Sequence, residues 1–281
     1  TFSNHFVSPF GGEHAALTLI PLMTAPSWSS IPRDHLGPFT AGLIDGDGSF
    51  QVNHWRGKNL QYRLVVKLAL KPFNLEMLQL IASVYGGSVK VLATKSGQFV
   101  QWVINDSNII RNQILPLMAQ YPPLTTRVHL QLAFVIRALA GMSMDEYMAT
   151  RNNKFDTRAE VTPLFTTVPA YFAPWLSGFI EAEGSFALRS GSIGFSFSIS
   201  QANDFYLIQA IRDYFGQSHL TVQTKRGAMP LYFIEMYSIN GMSAVLNHCI
   251  NHPLLGHKYY QLATVMQNSA ALSHLRQNFF D

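Results

Sequence analysis

From Ser49 the chain alternates polar and apolar side chains, with Ser49, Gln51, Asn53 and Trp55 on one parity and Phe50 and Val52 on the other. Such a period of two predicts a half-buried strand. An amphipathic helical run closing on an aromatic and a glycine follows, Leu75 to Gly86. A strand pair, Ser88 to Thr94 with Phe99 to Ile104, and a helical segment from Asn108 to Tyr121 come next. The same succession returns in the second half: strand-like residues after Ser185, a helical run from Leu207 to Gly216, strands at Leu220 to Thr224 and Leu231 to Ile239, and a helix from Gly241 to His252. Each block then reaches a proline five positions before a basic residue, Pro122 to Arg127 and Pro253 to Lys258, and ends in a last helical segment.

The chain is therefore an internal duplication. Shifting by 136 residues lays P-F-T-A-G-L-I-D-G-D-G-S-F at Pro38 over P-W-L-S-G-F-I-E-A-E-G-S-F at Pro174, and where the copies differ size or charge is mostly kept. The predicted fold is α+β, with two pseudo-symmetric αββαββα repeats, each carrying a four-stranded antiparallel sheet and joined at a packed helix pair. The predicted domains are an N-terminal arm over 1–37, a first domain over 38–150, a linker over 151–169 and a second domain over 170–281.

The repeated segment reads as a helix started by Pro38 or Pro174 and ended by a left-handed glycine, Gly48 or Gly184. Gly42 and Gly46 lie four apart on one face, as do Gly178 and Ala182, a spacing that lets two backbones approach closely. Packing the two copies together brings Asp47 and Glu183 side by side at the helix ends. A carboxylate there faces the negative end of the helix dipole, at a cost of about 0.3 to 1 kcal/mol, and two of them repel. Oxygen ligands with open coordination positions suit Mg²⁺. Asp45 and Glu181, two residues earlier, point elsewhere on the helix.

Composition narrows the field only slightly. At 281 residues and 48% hydrophobic content the chain has ample material for a packed core. No uncharged run approaches the ~18–20 residues of a membrane span, so no membrane partner is expected. Lys and Arg exceed Asp and Glu by four, and the pI near 9.2 favours an anionic partner. The single cysteine, Cys249, excludes an internal disulfide and fits a reducing compartment. The arm carries several Pro and Gly residues with short apolar patches such as Ala15 to Met23 between them, and reads as an irregular segment with room for one short helix. It has no basic residue before Arg33, unlike a secretory or mitochondrial targeting peptide. His248, Cys249, His252 and His257 raise a zinc alternative, but Pro253 interrupts them and no matching ligand set appears.

Both copies of the repeated segment resemble the signature of the LAGLIDADG homing endonucleases, in the form where one chain carries two motifs, typical of organellar intron-encoded proteins. The resemblance implies a monomer that cuts both strands of a long asymmetric DNA site with Mg²⁺, leaving 3′ overhangs. Mn²⁺ would substitute for Mg²⁺, and Ca²⁺ would support binding without cleavage. It implies a mitochondrial location. Asp47 and Glu183 fall on the metal-binding positions, with the carbonyls of Gly46 and Ala182 beside them. Gln201 matches a position that orders the attacking water, and its first-half counterpart falls at Leu70 or Lys71, of which only Lys71 is polar. Lys258 and its repeat mate Arg127 match a basic position that stabilises charge at the phosphate.

In that family the sheets enter the major groove of double-stranded DNA. Alternation then assigns to the groove face Ser49, Gln51, Asn53, Trp55, Lys90 and Gln101 in the first half. In the second half it assigns Ser185, Ala187, Arg189, Ser196, Ser198, Gln223 and Lys225, with Arg226 beside a turn within reach of phosphate. Two other readings share these residues: an RNA-binding maturase acting on its own intron, and a DNA-binding module that does not cleave.

Overall fold

The computed structural model describes residues 31, 33–189 and 194–280. The arm, with its apolar patch at Ala15 to Met23, lies outside the described residues except at its end. There a helix α1, Arg33–Asp47, begins five residues before the expected start at Pro38. Proline removes a single bond here, the one its N–H would make to the carbonyl of Asp34, and Asp34 is exposed to water. The helix that carries the first copy of the repeated segment thus starts at Arg33.

From α1 the chain runs through strands β1 (Gly48–Trp55) and β2 (Asn59–Ala69), helix α2 (Asn74–Tyr85), and strands β3 (Ser88–Thr94) and β4 (Gly97–Ile104). One turn of helix α3 (Ser107–Ile109), a π-helical turn at Ile110–Ile114 and α4 (Leu115–Gln120) replace the single expected helix there. Helices α5 (Thr126–Leu139) and α6 (Met144–Thr150) close the half, and a one-turn helix α7 (Arg158–Val161) lies in the linker. The second half repeats the order as α8 (Phe172–Glu183), β5 (Gly184–Leu188), β6 (Phe195–Ala202), α9 (Phe205–Tyr214), β7 (Gln223–Lys225), β8 (Leu231–Met236), α10 (Ile239–Asn251), α11 (His257–Asn268) and α12 (Ser273–Phe280). Strand β7 pairs over only three residues, although Leu220 and Val222 before it still pack toward the core.

Each half holds an antiparallel sheet, ordered β1-β2-β4-β3 and β5-β6-β8-β7. Strand β1 is an edge strand, and α5 and α6 cover it: Phe50 N donates to Gln131 Oε1 at 3.1 Å and Tyr147 OH donates to the Val52 carbonyl at 2.9 Å. Covering an edge in this way blocks its pairing with another chain. No described helix is long and apolar enough to cross a membrane.

Helices α1 and α8 pack together, and one continuous apolar core runs through them into both halves. Both are buried on nearly all sides, which explains their almost uninterrupted apolar sequences. A methyl group on Gly42 would collide with the carbonyl of Trp175, and one on Gly178 with the carbonyl of Phe39. The two glycines are therefore required by backbone contact across the pair. Gly48 and Gly184 do not form left-handed caps. They open β1 and β5, with Gly184 extended at φ −75°, ψ 157°. Glycine is needed there for space, since an added Cβ would lie 2.5 Å and 2.7 Å from the carbonyl oxygens of Ile44 and Ile180.

Candidate active site and nucleic-acid interface

Asp47 and Glu183 are the last residues of α1 and α8, and the helix contact brings them together. A Cβ built on Gly46 would lie 3.3 Å from Glu183 Cγ. Among the described residues neither carboxylate has a hydrogen-bond partner. Burial raises Asp47 to about 6, against the pull of Arg127 and Lys258. Burial and then the charge of Asp47 raise Glu183 to about 7. Two half-buried acids at carbonyl-rich helix ends, influenced by Arg127 and Lys258 but hydrogen-bonded to neither, fit a divalent ion. No cluster of three or more His, Cys, Asp or Glu side chains stands among the described residues. An ion here would take Asp47, Glu183 and the carbonyls of Gly46 and Ala182, completing its shell with water or phosphate oxygen.

The acids two residues earlier do separate work. Asp45 is fully buried, accepting from Leu124 N (2.8 Å), Thr125 N (3.2 Å), Thr125 Oγ1 (2.7 Å) and, across the interface, Trp175 Nε1 (2.9 Å). Glu181 accepts from Gly256 N, Lys258 N and Tyr259 N at 2.7, 2.9 and 3.3 Å. Each thus caps the start of the helix that carries the basic residue of its own half, Arg127 on α5 and Lys258 on α11.

A second pair of caps crosses between halves. Asp204 accepts from Thr126 N at 2.9 Å and Thr126 Oγ1 at 2.6 Å, and Asn74 Oδ1 accepts from His257 N at 2.9 Å. The sequence reading missed both. Their signal is slight, a polar residue at the N-terminal edge of α2 and of α9.

Arg127 and Lys258 meet different surroundings. The Arg127 guanidinium donates through Nη1 to the Gly48 carbonyl (2.5 Å) and through Nη2 to those of Asp45 (2.8 Å) and Gly46 (2.7 Å). Lys258 is half-buried, and among the described residues its ammonium has no hydrogen-bond partner. Burial lowers it and the nearby acids oppose that, Glu181 first and then Asp47.

Gln201 is 6% exposed and hydrogen-bonds Asp204 through its side chain. Because Ser185 pairs with Ser198 where Ser49 pairs with Val65, strand register puts Leu68 opposite it in the repeat, not Leu70 or Lys71. Lys71 is exposed on the following turn, close enough to lower both His257 and Lys258.

On the first sheet, register puts Ser49, Gln51, Asn53 and Trp55 on one face with Asn59, Gln61 and Arg63 of β2. Lys67, Gln101 and Lys90 stand side by side on that face across three strands. Gln61, Arg63 and Lys67 are absent from the expected set, although the alternation N-L-Q-Y-R-L of β2 marks them. On the second sheet Ser185 and Ala187 are exposed and Ser198 is half-buried, while Gln223, Lys225 and Arg226 are open to solvent. Ser196 departs from expectation. It lies on the correct face but is 1% exposed, hydrogen-bonded to Arg189 and to Glu235, which also pair with each other. Arg189 is exposed but committed to that pair.

The histidines have structural partners. His248 is buried between Ser177 Oγ and Tyr214 OH, at 3.0 and 2.9 Å from its two ring nitrogens, and Cys249 is buried beside it in the core.

A duplicated α+β scaffold with one acid from each half at its centre and a polar face on each sheet has the organisation of a nucleic-acid hydrolase. The LAGLIDADG endonuclease family profile matches residues 40–136 and 176–268, and the chain belongs to that family. It is 34% identical over 230 residues to the "Probable intron-encoded endonuclease aI3" of Dictyostelium citrinum, covering 81% of this chain and 93% of that one. A protein of the same description from Debaryomyces hansenii is 33% identical over 260 residues, covering 80% of this chain. The chain spans 37% of that relative's length. In fold it is similar to the LAGLIDADG meganuclease I-CpaMI bound to uncleaved DNA, with TM-score 0.64, 16% identity and coverage of 86% and 93% of the two chains. It is also similar to I-SmaMI bound to an uncleaved DNA target in the presence of calcium ions, with TM-score 0.61, 20% identity and coverage of 87% and 93%.

Proposed function

We propose that this chain is a site-specific endonuclease that hydrolyses one phosphodiester in each strand of a long asymmetric DNA duplex, acting as a monomer with Mg²⁺ and leaving 3′ overhangs. The observation that carries the proposal is the meeting of Asp47 and Glu183, one from each half, unpaired and beside the strands whose polar faces begin at Ser49 and Ser185. The divalent ion supplies Lewis-acid stabilisation of the attacking and leaving oxygens. The protein's part is to hold those acids and the carbonyls of Gly46 and Ala182 in place, with Lys258 positioned to offset charge on a phosphate. Polar side chains on the two sheets read base edges, while Lys225 and Arg226 fix the register on phosphate. The intron-encoded relatives support an organellar, mitochondrial setting, and the calcium-containing neighbour supports use of a divalent ion.

The test is selection from a randomised duplex library with Mg²⁺, with Ca²⁺ as a binding-only arm and Mn²⁺ as a substitute. One cleaved sequence class should emerge, and Asp47→Asn and Glu183→Gln should still bind it while losing cleavage. If both variants cut at the wild-type rate, the metal assignment fails.

A further inference from the structure

Pseudo-symmetry makes Arg127 and Lys258 equivalent, yet their donors are not equally free. Two nitrogens of the planar Arg127 fork divide three carbonyls at the end of α1: Gly48 at 2.5 Å, and Asp45 and Gly46 at 2.8 and 2.7 Å. An ammonium would have to serve all three from one atom. In the second half no side chain among the described residues donates to the corresponding carbonyls of Glu181, Ala182 and Gly184.

The helix that carries Arg127 is anchored from both halves at its first turn. Asp45 holds Leu124 and Thr125, and Asp204, fully buried and 78 residues away in sequence, holds Thr126. We infer that Arg127 is a positioning residue: braced by Asp204 of the second half, it locks the end of α1 and so aims Asp47 and the Gly46 carbonyl, leaving Lys258 as the cation that meets the substrate phosphate.

The chain of contacts is short and rigid. Loss of Asp204 removes the second-half anchor at Thr126 and leaves α5 held by Asp45 alone, so Arg127 shifts and the three bonds to the residues flanking Asp47 weaken. The consequence is felt as weaker divalent binding rather than lost charge at the phosphate, in the way residues behind a metal ligand act. The inference rests on the endonuclease reading for its effect on cleavage, but the brace itself can be measured without cleavage.

Arg127→Ala, Arg127→Lys, Asp204→Ala, Asp204→Asn and Lys258→Ala are compared with wild type. Ca²⁺ titrations of the protein alone are read by thermal shift. Ca²⁺-dependent binding of the selected duplex and its cleavage at saturating Mg²⁺ are then measured. Arg127→Lys should behave like Arg127→Ala, both raising the Ca²⁺ midpoint by about tenfold or more, with cleavage largely recovered at saturating Mg²⁺. Asp204→Ala should raise the midpoint similarly, and Asp204→Asn, which keeps one acceptor for Thr126, should recover most of it. Lys258→Ala should keep the midpoint and lose cleavage at any Mg²⁺ concentration. A wild-type midpoint and rate in Arg127→Lys, or a lost rate at an unchanged midpoint in Arg127→Ala, would overturn the inference and return Arg127 to the phosphate. If wild type cleaves no duplex while the Ca²⁺ midpoints shift as stated, the endonuclease reading fails and the brace stands.

Discussion

Trp175 of the second half donates its indole N–H to Asp45 of the first at 2.9 Å, with both residues wholly removed from solvent. Asp45 accepts three further hydrogen bonds, two from backbone N–H groups, and these partly offset the burial that raises it to about 6. Asparagine offers one acceptor oxygen and turns its amide hydrogens toward those donors. Asp45→Asn should therefore cost about 3 kcal/mol. Asp47→Asn should cost nothing in chelator, since it removes a carboxylate that faces Glu183. Urea unfolding of the two variants separates them, and equal losses would mean that the two acids of the motif share one role.

Gly178 lies against the carbonyl of Phe39, where an added methyl meets backbone atoms that have no room to retreat. Gly178→Ala should cost about 3 kcal/mol, at the upper end of overpacking penalties. Gly227→Ala, where the nearest atom would be 3.6 Å away, should lie within about 0.5 kcal/mol of wild type. Thermal unfolding of both tests whether the helix pair tolerates separation.

Contacts to DNA divide by position. Arg226 lies outside the strands, so Arg226→Ala should lower the salt slope of binding by about one without changing base preference. Lys67 stands on a central strand, with its ammonium 4.1 Å from the centre of the Phe99 ring. Lys67→Ala should relax preference at one base position. Glu235→Gln releases Arg189 from its ion pair and should tighten binding and steepen the salt slope. Fluorescence anisotropy across a salt series measures all three.

Stability should fall in acid through His248. The Ser177 hydroxyl donates to the His252 carbonyl at 2.7 Å, so it accepts from His248 Nε2–H, and Nδ1 then accepts from Tyr214 OH. A second ring proton would force the Tyr214 hydroxyl to give up its donation and turn to accept, and burial, followed by His252 and His35, lowers His248 to about 3. Its contribution is complete above pH 6.5 and is lost at about 1.4 kcal/mol per pH unit as pH falls toward the folded value. His35 and His252 are lowered by burial as well and add to the slope. Chemical unfolding at pH 7.5 and 5.5 should show the loss, and His248→Gln should flatten it by about one proton.

The duplication, the helix pair and the separate roles of Asp45 and Asp47 are legible because they repeat in the sequence. A 136-residue shift puts an acid beside an acid and a small residue beside a small residue. What pairwise geometry decides is not legible. Pro38 reads as a helix start, yet α1 continues back to Arg33 because exposed Asp34 tolerates an unbonded carbonyl. Ser196 has the parity of a groove residue and is hidden by Glu235, whose approach depends on strand register. Asp204 and Asn74 meet partners 78 and 183 residues away, and no periodicity records that distance.

Those two crossed caps bear on how such a chain can be rebuilt. Grafting one half onto a foreign partner to combine two target half-sites would detach Thr126 from Asp204 and His257 from Asn74, leaving each helix start with the acceptor of its own half alone. A productive chimera must transplant the acceptor with the helix it serves, so the exchangeable unit is larger than the half it is drawn from.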